Sequence, residues 1–154
     1  MNEHCQHCDA SNPEGFERCG CCARNSGLTL AEFQAAARDH YLAAALWSTN
    51  DETDESGGQP FDANYCIDDI APHSRADMLA ECDEFIANNW ALIQETGQSA
   101  EQCGHDFWLT RNGHGVGFWD RGYPVALGDA LTRAAHLAGA RDLYLGDDGR
   151  IWQS

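Results

Sequence analysis

The chain has 154 residues, with 25 Asp and Glu against nine basic residues, all of them arginine, for a formal net charge of −16. Hydrophobic residues at 43% and charged residues at 22% are the composition of a globular chain rather than a disordered one. Duplex DNA carries one negative charge per roughly 1.7 Å and is bound through basic patches, so this balance argues against direct nucleic-acid binding. A chain of this size buries roughly 68–70% of its unfolded surface, so it needs no metal or disulfide to hold the whole fold.

The first motif is "CQHCDASNPEGFERCGCC", residues 5–22. Cys5 and Cys8 form one C-x2-C pair and Cys19 and Cys22 another, with ten residues between them. Zinc takes four soft ligands in a tetrahedron, and two such turns supply a closed structural site. Cys21, His4 and His7 are near enough in sequence to be rival ligands. A redox reading of the two pairs needs a βαβ context, and none precedes residue 28. The segment "NPEGFERC" resembles a zinc-ribbon knuckle, with Pro13 and Gly15 reversing the chain between the pairs. Residues 1–26 are therefore expected to be a zinc-ribbon-like knuckle and residues 28–154 an α+β domain. Four thiolates around one divalent ion add two negative charges, which makes the chain more acidic still. The start "MNEHCQHCD" has neither a basic nor an apolar leader region, and no run reaches the roughly 18 apolar residues of a membrane helix, so a cytoplasmic location is expected.

"LTLAEF" predicts a helix start, with Thr29 as cap, Glu32 completing a capping box and Leu28 packing on Phe33. Phe33, Ala37, Ala44 and Trp47 fall at helical spacing and predict a buried stripe on a helix from about Leu30 to Ser48. The stretch "STNDETDESGGQPFDANYCIDDIAP" reads as a long acidic loop. A second helix is predicted from Ser74, with Asp77 in the capping-box position, to Gly97, with Met78, Cys82, Phe85, Ile86 and Ile93 inward. "SAEQCGH" reads as a short helical turn capped by Ser99.

In "HDFWLTRNGHGVGFWDRG" apolar residues alternate on both sides of Asn-Gly, which predicts a β-hairpin. Phe107, Leu109, Val116 and Phe118 would share one face, and Trp108, Thr110 and Trp119 the other. A helix from about Val125 to Ala138 is predicted to turn Leu127, Leu131, Ala134 and Leu137 inward and to stop at Gly139. "DLYLGDDGRIW" predicts a closing hairpin turned at Asp-Gly. This order predicts an α+β fold with helices packed on a small antiparallel sheet.

The blocks "YLAAALWSTNDE", "YCIDDIAP", "GHDFWLTRNGHGVGFWDRG" and "DLYLGDDGRIW" resemble, in this order, an uncharacterised family of small bacteriophage and prophage proteins. The resemblance spans roughly residues 40 to 152. It implies a phage source and a host-cell cytoplasm, and it carries no catalytic residues.

The remaining residues bear on three chemistries. His105, Arg111, His114 and Asp120 on one hairpin would be the start of acid/base catalysis, but no nucleophile is marked. Cys66, Cys82 and Cys103 with His105 would make a second metal site, but Cys82 falls on a predicted buried face. The strongest signal is charge: from Asn50 to Glu101 there are 13 acids and one arginine, Arg75. Asp77, Glu81 and Glu84 share a helix face at i, i+4 and i+7, an arrangement that costs roughly 0.2–0.5 kcal/mol per like-charge pair. Such a row suits a partner surface that imitates phosphates and occupies the basic groove of a host DNA-binding or defence protein. The expected function is thus a zinc-binding acidic protein that binds a basic host protein. Its alternatives are an adaptor without charge mimicry or a small enzyme using His105, His114 and Asp120.

Overall fold

The computed structural model describes residues 28–53 and 58–154, together with the backbone of residues 3–5 and 10–12. Near the N-terminus β1 (Glu3–Cys5) pairs antiparallel with β2 (Ala10–Asn12). The rest of the predicted knuckle lies outside the described residues.

Helix α1 (Leu30–Ser48) starts as its capping residues dictate. The Thr29 hydroxyl accepts from the Glu32 N–H at 3.1 Å, and the Glu32 carboxylate accepts from the Thr29 N–H at 2.9 Å. Phe33, Ala37, Tyr41 and Ala44 are buried on its inward side, and Leu28 packs against the same core. Trp47, expected in this stripe, is 53% exposed. The inward stripe passes instead to Ser48, whose hydroxyl accepts from the Trp108 indole N–H at 2.8 Å.

The acidic stretch that follows contains a two-residue ladder between β3 (Asn50–Asp51) and β4 (Gln59–Pro60). Two 3₁₀ turns, Phe61–Ala63 and Ile67–Asp69, come next. Helix α2 (Pro72–Asn88) begins before Ser74, because Pro72 occupies its first turn with its φ already suited to a helix. Ser74 is therefore not the cap, and Asp77 is not a capping-box partner. The Ser74 hydroxyl instead accepts from the Gln153 N–H at 2.9 Å. The predicted single helix to Gly97 breaks at Asn89, whose side-chain amide turns back onto the Phe85 carbonyl at 2.8 Å. Helix α3 (Trp90–Thr96) resumes and ends on Gly97 with φ +71°. Met78, Cys82, Phe85, Ile86 and Ile93 are buried, as the periodicity requires.

The predicted central hairpin is replaced by helix α4 (Ala100–Arg111), which Ser99 caps by accepting from the Gln102 N–H at 3.1 Å. The reason is burial. Nine of its twelve residues are buried, so no polar face reveals the helical period, and the alternation of Phe107 and Leu109 with Trp108 and Thr110 carries no face information. Asn-Gly ends the helix instead of turning a hairpin. Gly113, at φ +71°, donates to the Thr110 carbonyl at 3.1 Å, and His114 donates to the Leu109 carbonyl at 3.0 Å. These two bonds make a Schellman cap. Phe118 opens a 3₁₀ turn, Phe118–Asp120, and is buried, while Trp119 is half exposed.

Helix α5 (Val125–Leu137) has Leu131 buried and Leu127 and Ala134 half-buried. Leu137, predicted inward, is 83% exposed, because it lies in the last turn beyond the contact with the core. The closing hairpin forms as predicted, with β5 (Leu143–Leu145) antiparallel to β6 (Ile151–Gln153). Its loop is three residues, Asp147–Gly149, closed by the Gly146 N–H on the Arg150 carbonyl at 2.8 Å.

Among the described residues, five α-helices with small antiparallel ladders are consistent with an α+β chain. The core, however, is helix on helix, not helix on sheet. Tyr41, Phe107, Phe85 and Phe118 stack in series, with the Phe85 and Phe107 rings 4.0 Å apart and nearly parallel. Among the described residues no helix is long and apolar enough to cross a membrane.

Candidate partner-binding surface

Helix α2 places Asp77, Glu81 and Glu84 at helical spacing, but only two of them are exposed. Asp77 is met by the exposed imidazole of His73 at 3.6 Å. Glu81 lies between two arginines. Its Oε1 accepts from Arg111 Nη1 at 2.7 Å, and its Oε2 lies 3.1 Å from Arg141 Nη2. The charge at the middle of the predicted row is therefore neutralised inside the fold.

Arg111 explains why. Its side chain is 1% exposed, at the end of the buried α4. Nε donates to the Gly139 carbonyl at 2.7 Å and Nη2 to the Ala138 carbonyl at 3.0 Å, both just past the C-terminus of α5, where a cation is favoured. Nη1 also donates to the Tyr41 hydroxyl at 2.8 Å, and the guanidinium lies 4.9 Å from the Phe107 ring centre. Burial pushes the Tyr41 phenol well above its usual pKa, so it remains a neutral acceptor. One arginine thus ties together α1, α2, α4 and α5. A sequence signal for this existed: a lone guanidinium at the end of an apolar run needs buried partners.

The other arginines follow the same logic. Arg38 meets Asp83 at 2.7 Å, Arg75 meets Asp68 at 3.3 Å, and Arg121 meets Asp106 at 2.7 Å. Five of the seven arginines in the described residues are held by four carboxylates, and fifteen acids there remain outside those pairs. Arg133 and Arg150 are exposed outside those pairs, so among the described residues the unpaired surface charge is predominantly acidic.

His105, His114 and Asp120 are not brought together as the hairpin would have placed them. His105 sits on α4 beside Trp47, with ring centres 5.9 Å apart. His114 follows the Schellman cap, and Asp120 is exposed on the 3₁₀ turn. The titratable group of note here is Asp106, which sequence reading passed over. It is fully buried, accepting from Arg121 Nε at 2.9 Å, Arg121 Nη2 at 2.7 Å and Gln102 Nε2 at 2.8 Å, with His105 Nδ1 at 3.4 Å. Burial alone would raise its pKa, but the hydrogen bonds from His105, Arg121 and Gln102 together with the Arg121 charge outweigh it and hold the carboxyl below its usual range. This is a structural anchor for the chain after α4, and its charge helps keep the neighbouring Cys103 thiol protonated.

Cys8, Cys19 and Cys22 lie outside the described residues, and of Cys5 only the backbone is described, paired with Ala10. Cys66 is exposed, whereas Cys82 and Cys103 are buried. Burial pushes the Cys82 thiol up to about 12 and that of Cys103 well above its usual value, so both behave as core residues. Among the described residues no group of three or more metal-ligating side chains converges. Cys66, Cys82, Cys103 and His105 do not form the second site considered from sequence.

A cleft of about 550 Å³ lies between the end of α1 and β5. Apolar Phe61, Trp108 and Leu143 line it, together with acidic Glu52 and Asp142. No family model, curated protein or solved structure matches the chain.

Proposed function

We propose that this chain is a zinc-bearing acidic interaction protein that binds a basic protein. Following the resemblance to phage proteins, we take the partner to be a host DNA-binding or defence protein in the cytoplasm, occupied through charge mimicry of nucleic acid. The observation that carries this reading is the allocation of charge. Five of the seven arginines in the described residues are committed to ion pairs, and the fifteen acids outside those pairs outnumber the two remaining arginines, Arg133 and Arg150, in setting the field that a partner meets. On α2 the partner surface is then Asp77 and Glu84, with Glu81 supporting it through Arg111 and Arg141.

The test is affinity capture from host lysate, followed by titration of the purified partner. Binding is expected to weaken as salt rises, since exposed charges are screened beyond roughly 8 Å at physiological ionic strength. The double variant Asp77→Lys/Glu84→Lys keeps Glu81 and hence the fold, and it should weaken binding at least about tenfold through like-sign repulsion. Unchanged affinity in that variant would leave the adaptor reading in place of mimicry.

The zinc part of the proposal rests on the spacing of Cys5, Cys8, Cys19 and Cys22. Purified protein should hold one zinc per chain by elemental analysis. Cys5→Ser or Cys19→Ser should release it with the helical circular dichroism preserved, because the buried apolar cluster runs from Phe33 to Ile151. Zinc retained by Cys22→Ser would make Cys21 the ligand, and global unfolding on chelation would make the metal part of the core.

A further inference from the structure

Among the described residues, the closing hairpin leaves one of its two edges open. The Gly146 N–H bonds the Arg150 carbonyl at 2.8 Å, and the Ser154 N–H bonds the Asp142 carbonyl at 2.9 Å. Antiparallel ladders alternate bonded and non-bonded pairs. Tyr144 and Trp152 are therefore the bonded pair between these two, and Leu143 and Leu145 turn their N–H and C=O groups away from β6. Three contacts bear this out. The Leu143 N–H is met by Asp142 Oδ1 at 2.9 Å, not by β6. On the far edge, the outward groups of β6 are covered by the start of α2: the Ala71 N–H bonds the Ile151 carbonyl at 2.8 Å, and the Gln153 N–H bonds the Ser74 hydroxyl.

Among the described residues the outer edge of β5 has no such cover. Residues 140–145 line the 550 Å³ cleft, as do residues of the β3 segment. Proteins usually blunt open edges with charge or a covering segment, and here Asp142 occupies a single N–H. The Leu143 carbonyl and both backbone groups of Leu145 remain directed outward.

We propose that β5 is a strand-addition site that takes an extended segment of a basic protein, with aliphatic and Arg or Lys side chains in alternation. Leu145 offers one donor and one acceptor to the same incoming residue, and the Leu143 carbonyl offers a third bond two residues away. Phe61, Trp108 and Leu143 supply apolar surface for side chains of one parity. Glu52 and Asp142 favour cations, while Arg141, which also lines the cleft, has its charge held by Glu81. The choice of a basic segment rests on the proposed function above, whereas the strand edge does not.

Two synthetic peptides of about eight residues, alternating Val-Arg and Val-Glu, separate these parts when titrated into the ¹⁵N-labelled full chain. The Val-Arg peptide should shift the Leu145 amide and slow its hydrogen exchange at least about tenfold, and the Val-Glu peptide should do neither. Leu145→Pro removes only the outward N–H, which edge strands tolerate, and should abolish binding. The wild-type exchange reading stands by itself should that variant not fold. Val-Arg binding with Leu145 exchange unchanged would overturn strand addition and leave the basic-partner reading intact. Equal protection of Leu145 by Val-Glu would overturn the choice of a basic segment and weaken that reading with it. Binding of neither peptide would overturn the site.

Discussion

Arg111→Met should destabilise the chain by about 3–5 kcal/mol, the cost of removing one member of a buried ion pair. In a domain of this size that corresponds to a fall of about 10 °C in melting temperature. The methionine fills much of the volume, so the loss reports the polar network rather than a cavity. It strands the Ala138 and Gly139 carbonyls and the Tyr41 hydroxyl, and it leaves Glu81 with Arg141 alone. Arg111→Lys should fall nearly as far, because an ammonium cannot reach two carbonyls, a phenol and a carboxylate as the planar fork does. Arg111→Met combined with Glu81→Leu should recover part of the loss, since no half-buried carboxylate is then left behind. Chemical denaturation of the three variants measures this. A loss below about 1 kcal/mol for Arg111→Met would place the network among surface pairs of little worth.

The network also bears on the acidic surface. Had Glu81 been solvated, α2 would carry three like charges in a row, whereas in the fold it carries two separated by a neutralised centre. Charge reversal at Glu81 would therefore be read as loss of fold, and only Asp77 and Glu84 test binding cleanly.

How much of this was legible in the sequence depended on whether a segment has a solvent face. Helix α1 was read to the residue because Thr29 and Glu32 form a local cap and Phe33, Ala37 and Ala44 repeat against polar neighbours. Helix α5 and the closing hairpin were legible for the same reason, since each keeps an exposed side. Helix α4 was not. With Phe107, Trp108, Leu109, Thr110 and Arg111 all buried, no period survives, and Asn-Gly serves a helix cap as readily as a hairpin turn. The acids Asp77 and Glu84 were recognised from spacing. The partners of Glu81 were not, because Arg111 and Arg141 lie 30 and 60 residues away and only the tertiary fold brings them in. Asp106 escaped notice because nothing local in the sequence marks it as buried, and its partner Arg121 lies 15 residues on, beyond the end of α4.

Gly104→Ala should cost about 2 kcal/mol or more, although alanine is the better helix former by about 1 kcal/mol. Gly104 lies where α4 crosses α1, and a methyl group there would fall on the Ala37 carbonyl oxygen. Its next neighbours are the Ala37 carbonyl carbon at 3.1 Å and the Tyr41 nitrogen at 3.2 Å, so the three nearest atoms all belong to the α1 backbone. No rotamer change relieves such a clash, and the helices must separate. Separation loosens the contacts of Tyr41, which stacks on Phe107 and meets Trp108 edge-on across the same crossing. Overpacking costs typically about 1–3 kcal/mol and occasionally more, and a clash with unyielding backbone lies at the top of that range, so about 2 kcal/mol remains after the propensity gain is subtracted. Gly128→Ala is the control, since Gly128 is also helical and its nearest neighbour would be the Phe118 carbonyl oxygen at 3.4 Å. It should change stability by less than about 1 kcal/mol in either direction. Urea titration of both variants separates the two cases. Equal stability of Gly104→Ala and the parent would mean that α1 and α4 do not approach so closely in solution, and that the aromatic stack does not depend on that approach.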